Sequence, residues 1–438
     1  MHAFHRAGTT RGMVPKCLVI DAFPAALDLL LPHWFSKWRN VLLIAECDYQ
    51  IKNIGDNMEN SDVVSLAQAL VQTPSLSGEE GRVASLVAQR MREFGFEVSI
   101  DHNGSVLGTV GPEKSDLAIL FDGHLDVVPV AGKWTVEPFG GEIREGRLYG
   151  RGSTDMKGGI AAAICGVAAA AREGKLKRRV AVSASVLEEV IEGHALSAVL
   201  DSCRPQAVVI CEPSKLQIKS GQKGRLEILL TLHGKPAHAA SPECGINPLY
   251  AAAKALQALQ ALPLPQDRDF GEALLVPTDV ISSPYPSISM IPSTAEIRFD
   301  RRTLPGESKD DILSSIEDCL HQAEIRGFDL AITEDPVITY TGKTAMPPRW
   351  LPAWRAESDN MLLKNAIAAV EASGVEPSVG TWRFCTNGSE SAGRRNIPTI
   401  GLGPGREEEA HTIDESIEIE QLTLARDIYR HLTLIAAT

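Results

Sequence analysis

Basic charge is scarce in this 438-residue chain: 43 Lys and Arg stand against 56 Asp and Glu, a formal net charge of −13. Nucleic acid and anionic membranes both need basic patches, so neither is expected as a partner, and an anionic substrate must be drawn in by local positive groups. Paired cysteines are missing as well. Cys17, Cys47, Cys165, Cys203, Cys211, Cys244, Cys319 and Cys385 form no CxxC and no dense framework. That pattern fits reduced thiols in a cytoplasmic protein. No apolar run reaches the roughly 18–20 residues that span a bilayer. The nearest approach, "CLVIDAFPAALDLLLP", is broken by Asp21, Pro24 and Asp28 and is a poor signal peptide for the same reason. Aromatics make up only 5%, yet 44% hydrophobic and 23% charged residues are ordinary globular composition, and the length favours two domains or more.

Residues 1–57 differ from the rest of the chain, holding Trp/His-rich or apolar fragments without clear caps. The regular pattern begins at Met58, so a chain starting there is expected to fold and work without this extension, as if an upstream start codon had been chosen wrongly. "NSDVVSLAQALV" reads as a capped helix. "SLSGEEGRVASLVAQRMREFGF" reads as another, with Ser77 as N-cap and Glu80 three residues on completing a capping box. Strands and helices then alternate through "LAILFDGHLDVV", the Ala-rich run after "DMKGG", "RVAVSASVLEE" and "QAVVICEPS". This is the rhythm of a mostly parallel α/β sheet covered by helices on both faces. Near Gly224 the rhythm changes to approximate the βαββαβ order of a ferredoxin-like unit, and after about Pro347 the first style resumes. The expected organisation is a larger domain over 58–224 and 341–438, with a smaller one inserted at 225–340.

"LAILFDGHLDVVPV" poses the functional question, because a run suited to a buried strand carries His124 and Asp126. Residues two apart on a strand share a face, and a metal-ligating His usually hands its other nitrogen to a carboxylate. Asp155 comes next, in a Gly-rich loop ahead of a helix. Glu188 and Glu189 close "AVSASVLEE", Glu212 closes "AVVICEPS", and His411 comes after "PTIGLGPGREEEA". Each has a plain structural alternative: a satisfied core histidine, a helix cap, a solvated turn, a residue before Pro213. Open α/β sheets, however, place their sites beyond the carboxyl ends of the strands, and all of these residues fall there. Two His with several carboxylates and no Cys fit two zinc ions, or cobalt or manganese, bridged by one carboxylate, with one glutamate left over as a base. Which of the two adjacent glutamates that is, the residues alone leave open.

The set "GHLDVVPV…W…PFGGEIREGRLYGRGSTDMKGG", "EEVIEG", "CEPS", "GKPAHAASPECGINPL" and "GPGREEEAHTIDE" resembles the co-catalytic zinc exopeptidases and deacylases. That family includes acetylornithine deacetylase, succinyl-diaminopimelate desuccinylase, aminoacylase and glutamate carboxypeptidase. The likeness runs from about Met58 to the C-terminus, and "FCTNGSESAGRRNIPTIGLGPGREEEAH" is similar to a branch of hydrolases linked to selenium metabolism. The resemblance implies that Asp155 bridges two metals, with His124 and Glu212 completing one site and Glu189 and His411 the other. It further implies that Asp126 orients His124 and that Glu188 is the general base. The inserted domain would be a lid and dimerisation domain. Its His238 would reach the partner subunit's site, and Arg302 would bind a substrate carboxylate. Ser289 stands in "SISMIP" where relatives carry Asn, and Glu390 stands in "NGSES" where relatives carry Asp. Ser289, Asn387 and Ser389 are expected to face the substrate.

The function expected is a metal-dependent amidohydrolase acting on an N-acyl amino acid or small peptide. The alternatives are a dipeptidase or carboxypeptidase with the same metals, and an inactive metal-dependent binding protein. The complete ligand set and intact Glu188 argue against the last. Nucleotide binding by "GLGPG" is a weak alternative, because no clear helix follows the glycines and the acidic run beside them would repel phosphate.

Overall fold

The computed structural model describes residues 62–438, so the expectations for residues 1–57 lie outside the described residues. A nine-stranded sheet forms the body. Its centre is four parallel strands, in the spatial order Arg179–Ser185, Leu117–His124, Val208–Ile210 and Thr399–Gly401. Antiparallel strands flank them, with Glu97–Ile100 and Val106–Val110 on one side and Ile218–Gln222 on the other. Alternation along Arg179–Ser185 sends Val180, Val182 and Ala184 into the core beneath helices Gly158–Arg172 and Ile419–Ala437. Ala181 turns to the opposite face, where helix His194–Cys203 and Trp382 cover it. Both faces are therefore buried, as central parallel strands require.

A second, antiparallel sheet orders its strands Leu274–Ser283, Thr294–Thr303, Gly224–His233 and Phe328–Ile332, with Trp350–Leu351 also joined to Gly224–His233. Helices Pro248–Gln260 and Lys309–Gln322 lie on one face, capped by the side chains of Asn247 and Ser308. In chain order this is βαββαβ, the ferredoxin-like unit. Leu226, Ile228, Leu230 and Leu232 pack with Ile297, Phe299, Ala255 and Ile316 in a core of their own. The alternate residues Arg225, Glu227, Asp300 and Arg302 mark the other face. The chain leaves the first sheet at Gln222 and enters the second at Gly224; it is still in the second at Leu351 and back in the first at Trp354. The two crossings touch at Gly224, where an added Cβ would lie 2.4 Å from Leu351 O and Ala353 N. Only glycine fits that approach.

Candidate metal centre

Adjacent parallel strands bring their carboxyl ends together, and the polar residues gather with them. His124 is the last residue of its strand, Glu212 lies two residues past Ile210, and Glu188 and Glu189 lie just past Ser185. Asp155 stands in the loop before helix Gly158–Arg172, the crossover between two of these strands. His411 arrives from beyond Thr399–Gly401 and is the most open of the set, with 52% of its side chain exposed.

The six side chains converge. His124 Nε2 lies 3.1 Å from Asp155 Oδ1, 3.4 Å from Glu212 Oε1 and 3.8 Å from Glu188 Oε2. His411 Nε2 lies 3.2 Å from Asp155 Oδ2 and 3.0 Å from Glu189 Oε2. Asp155 thus shows one oxygen to each imidazole. Donor atoms of His124, Asp155 and Glu189, and those of His124, Glu188 and Glu212, lie within 4.8 Å of one another.

How two adjacent glutamates both face inward is answered by the backbone. Leu187 has φ 58°, the left-handed region that a branched side chain rarely adopts, so strand alternation is broken before Glu188. Three successive N–H groups are then pinned. Leu187 donates to Glu80 Oε1 (3.1 Å), Glu188 to Asp126 Oδ1 (3.0 Å) and Glu189 to Asp126 Oδ2 (3.1 Å). The Asp155 loop has a similar anchor. Glu415 accepts from the N–H groups of Gly152, Thr154 and Asp155 and from Arg151 Nη1.

Electrostatically the cluster asks for cations. Burial and nearby Asp155 push Glu189 and Glu212 up to about 7, and burial with Glu212, Glu192 and Glu189 holds Glu188 well above the ordinary carboxylate value. Burial opposes a charged His124, yet Glu212 and Glu188 hold it well above the usual imidazole value. Hydrogen bonds to Asp155 and Glu189 lift His411 to about 10. Burial opposes ionisation of Asp155, but the two imidazoles hold it well below its usual range. Without a metal, protons do the neutralising. The donor set is hard oxygen plus imidazole and fits two divalent ions.

Metal uptake is therefore expected to release protons. In the metal-free chain, the raised carboxyls of Glu189 and Glu212 contribute stability that is fully present below about 4.5 and lost as pH rises through about 7. The raised His411 contributes stability fully present below about 6.5 and lost toward about 10. Both losses run the same way. The difference in Tm between metal-loaded and metal-stripped protein should widen from about pH 5 to about pH 8. Scanning calorimetry in matched buffers checks this, and a pH-independent difference contradicts it.

Some expectations need correction, and the remaining residues are placed without being tested. The strand stops at His124, so Asp126 is not on it; His124 Nδ1 meets the main-chain oxygen of Asp126 at 2.9 Å, while Asp126 Oδ1 stands 3.6 Å away and its carboxylate holds the glutamate loop. The capping box is absent, because Ser77 Oγ donates to Asp126 Oδ2 and no side chain caps the following helix. Asn387 is buried with Oδ1 accepting from Gly193 N–H and Nδ2 serving Asp122 and Ser185, which leaves it nothing for a substrate. Ser389 is buried beside it, and Glu390 pairs with Arg394 and Arg395. Arg302 lies on the second sheet and grips Asp300 through Nε and Nη2 at 2.7 and 3.1 Å. His238 and Ser289 are exposed neighbours on that sheet's loops, joined through Ala239 N–H to Ser289 O at 3.0 Å. Among the described residues, no hydrogen bond or ion pair joins His238 to the ligand cluster. Ser77, Glu80 and Glu415 were not legible as site residues. Nor was Arg225, whose Nη1 reaches Glu192 Oε1 at 3.2 Å and ties the second sheet to the glutamate loop.

A mixed α/β sheet whose central parallel strands deliver two imidazoles and four carboxylates to one point, with a ferredoxin-like unit inserted in the chain, defines a metal-dependent hydrolase. The chain belongs to peptidase family M20/M25/M40, whose model matches residues 120–434, and it is a metallohydrolase acting on amide bonds. It is 29% identical over 390 residues to the uncharacterized protein YgeY of Escherichia coli K12, covering 85% of this chain and 94% of that one. It is 28% identical over 391 residues to succinyl-diaminopimelate desuccinylase 2 of Ruegeria sp. TM1040, covering 84% and 93%. In structure it resembles the M20 family metallo-carboxypeptidase Sso-CP2 of Sulfolobus solfataricus, with a TM-score of 0.68, 16% identity and coverage of 86% and 99%. Among the described residues no helix is long and apolar enough to cross a membrane.

Proposed function

We propose that the chain is a dinuclear zinc amidohydrolase of the cytoplasm that removes the acyl group from an N-acyl amino acid. The observation that carries this reading is Asp155, with Oδ1 toward His124 and Oδ2 toward His411 in a cluster of carboxylates. His124, Asp155 and Glu212 would hold one ion, and Asp155, Glu189 and His411 the other. Bound zinc, or cobalt or manganese in its place, acidifies a water and polarises a carbonyl. Glu188 takes the proton of the attacking water and passes it to the leaving nitrogen. With two cations bound beside it, its carboxylate would be held in the ionised form that a base needs. Arg302 keeps Nη1 uncommitted among the described residues and anchors a substrate carboxylate. A desuccinylase among the relatives supports N-acyl substrates. A panel of N-acetyl and N-succinyl amino acids and dipeptides, each with zinc, cobalt or manganese, tests the reading. Cleavage of dipeptides alone would favour a dipeptidase, and no turnover with any metal would favour a binding protein.

We further propose that residues 225–340 form a lid through which two copies pair. Among the described residues the strand Leu274–Ser283 is an unpaired edge, with Leu274, Val276, Val280 and Ile281 exposed. Ile246, Leu249, Tyr250, Tyr285 and Ile288 are further exposed apolar residues of the same unit. Such edges and patches call for cover. Pairing would carry the exposed His238 to the neighbouring site, where it polarises the scissile carbonyl. His238→Ala protein, itself nearly inactive, should regain activity when co-assembled with Glu188→Ala subunits, because one site then has its own Glu188 and its partner's His238. A fully active monomer, or mixed dimers without rescue, would contradict this.

A further inference from the structure

Ser77–Glu80 carries the pattern of a helix cap but spends its side chains elsewhere. Helix Gly81–Glu93 begins with no side-chain cap. Ser77 Oγ donates to Asp126 Oδ2 at 2.7 Å, and Glu80 Oε1 accepts from the N–H groups of Gly78 at 3.0 Å and Leu187 at 3.1 Å. Glu80 is 0% exposed, and its Oε2 finds no hydrogen-bond partner among the described residues. A carboxyl buried so completely and placed near Asp126 needs a reason.

We propose that Glu80 is a positioning residue that acts on Glu188 through the Leu187 N–H. This rests on reading Glu188 as the base. Leu187 is held at φ 58°, and that turn aims Glu188 and Glu189 into the cluster. A non-glycine residue persists in this region only where its surroundings over-determine it. Asp126 pins the next two N–H groups, while among the described residues Glu80 alone pins the strained one. Without that acceptor, a buried N–H is left unpaired and the turn has reason to relax. The role requires reach rather than charge, since a second buried anion near Asp126 would be repelled. Consistent with this, burial and Asp126 push Glu80 up to about 7.

Two substitutions separate reach from charge. Glu80→Gln keeps the acceptor oxygen at the same distance and removes the charge, whereas Glu80→Asp keeps the charge and is one methylene too short. Both are compared with the unaltered full chain by amide hydrogen exchange with zinc bound. They are also compared by zinc titration and by kcat and KM on the N-acetyl amino acid and dipeptide panel. The Gln variant should match the unaltered chain. In the Asp variant, exchange at Leu187–Glu189 should quicken about tenfold or more and kcat should fall about 10- to 100-fold, with KM and zinc stoichiometry retained. An Asp variant like the unaltered chain, or Gln and Asp equally impaired, overturns the proposal. So does faster exchange throughout the molecule in both variants, which would assign Glu80 to folding alone. If the unaltered protein cleaves nothing on the panel, the amidohydrolase reading fails, while exchange at Leu187 still decides the role of Glu80.

Discussion

Glu188→Gln is expected to keep its metals and substrate affinity and to lose turnover by about 10²–10⁴-fold or more, the range that loss of a general base produces. Gln preserves size and the hydrogen bond from the Glu188 N–H to Asp126, and removes only the proton acceptor. Glu189→Gln should instead weaken metal binding, because Glu189 meets His411 Nε2 with both oxygens, at 3.2 and 3.0 Å. The comparison is needed because Glu188 also lies with His124 and Glu212 in a group that could hold an ion. Metal analysis beside steady-state kinetics separates the two roles. Near-normal turnover in Glu188→Gln, or loss of metal there and not in Glu189→Gln, would reverse the assignment of base and ligand.

Asp155→Ala should strip both ions from the protein, whereas His411→Ala should strip one. Among the described residues only Asp155 stands within 4 Å of both imidazoles, one oxygen toward each, and its loop is anchored by Glu415. The cost to kcat/KM should exceed the about 10- to 100-fold typical of losing an outer hydrogen-bond partner. Dialysis against trace zinc followed by metal analysis gives the stoichiometry directly. Full metal content in Asp155→Ala would mean that the two ions share no ligand there.

The cluster of imidazoles and carboxylates was legible because chemistry and topology agree. Parallel strands end on one side of a sheet, and polar residues just past buried apolar runs have few other reasons to be there. The second unit was legible from alternation in Gly224–His233 and Thr294–Thr303 and from its two capped helices. Its strand Leu274–Ser283 was harder to see. Pro277 and a register shift at Pro277/Asp279 break the pattern, and an edge position lets both faces stay exposed. The supports of the site were not legible, for a single reason. Ser77 and Glu80 satisfy a local capping rule, Glu415 sits in an acidic run and Asn387 in a polar one, yet each bonds across a large sequence separation. Local pattern cannot tell a helix cap from a brace for a loop 107 residues away. Leu187 gave no sign either, since a left-handed leucine is imposed by its tertiary contacts rather than by propensity.

Anomalous diffraction at the zinc edge, from crystals of the zinc-loaded protein, tests the central claim most directly. Two peaks about 3.5–4 Å apart are expected, one between His124 and Glu212 and the other between Glu189 and His411, with an oxygen of Asp155 on each. A single peak, or two peaks that do not share Asp155, would contradict the account.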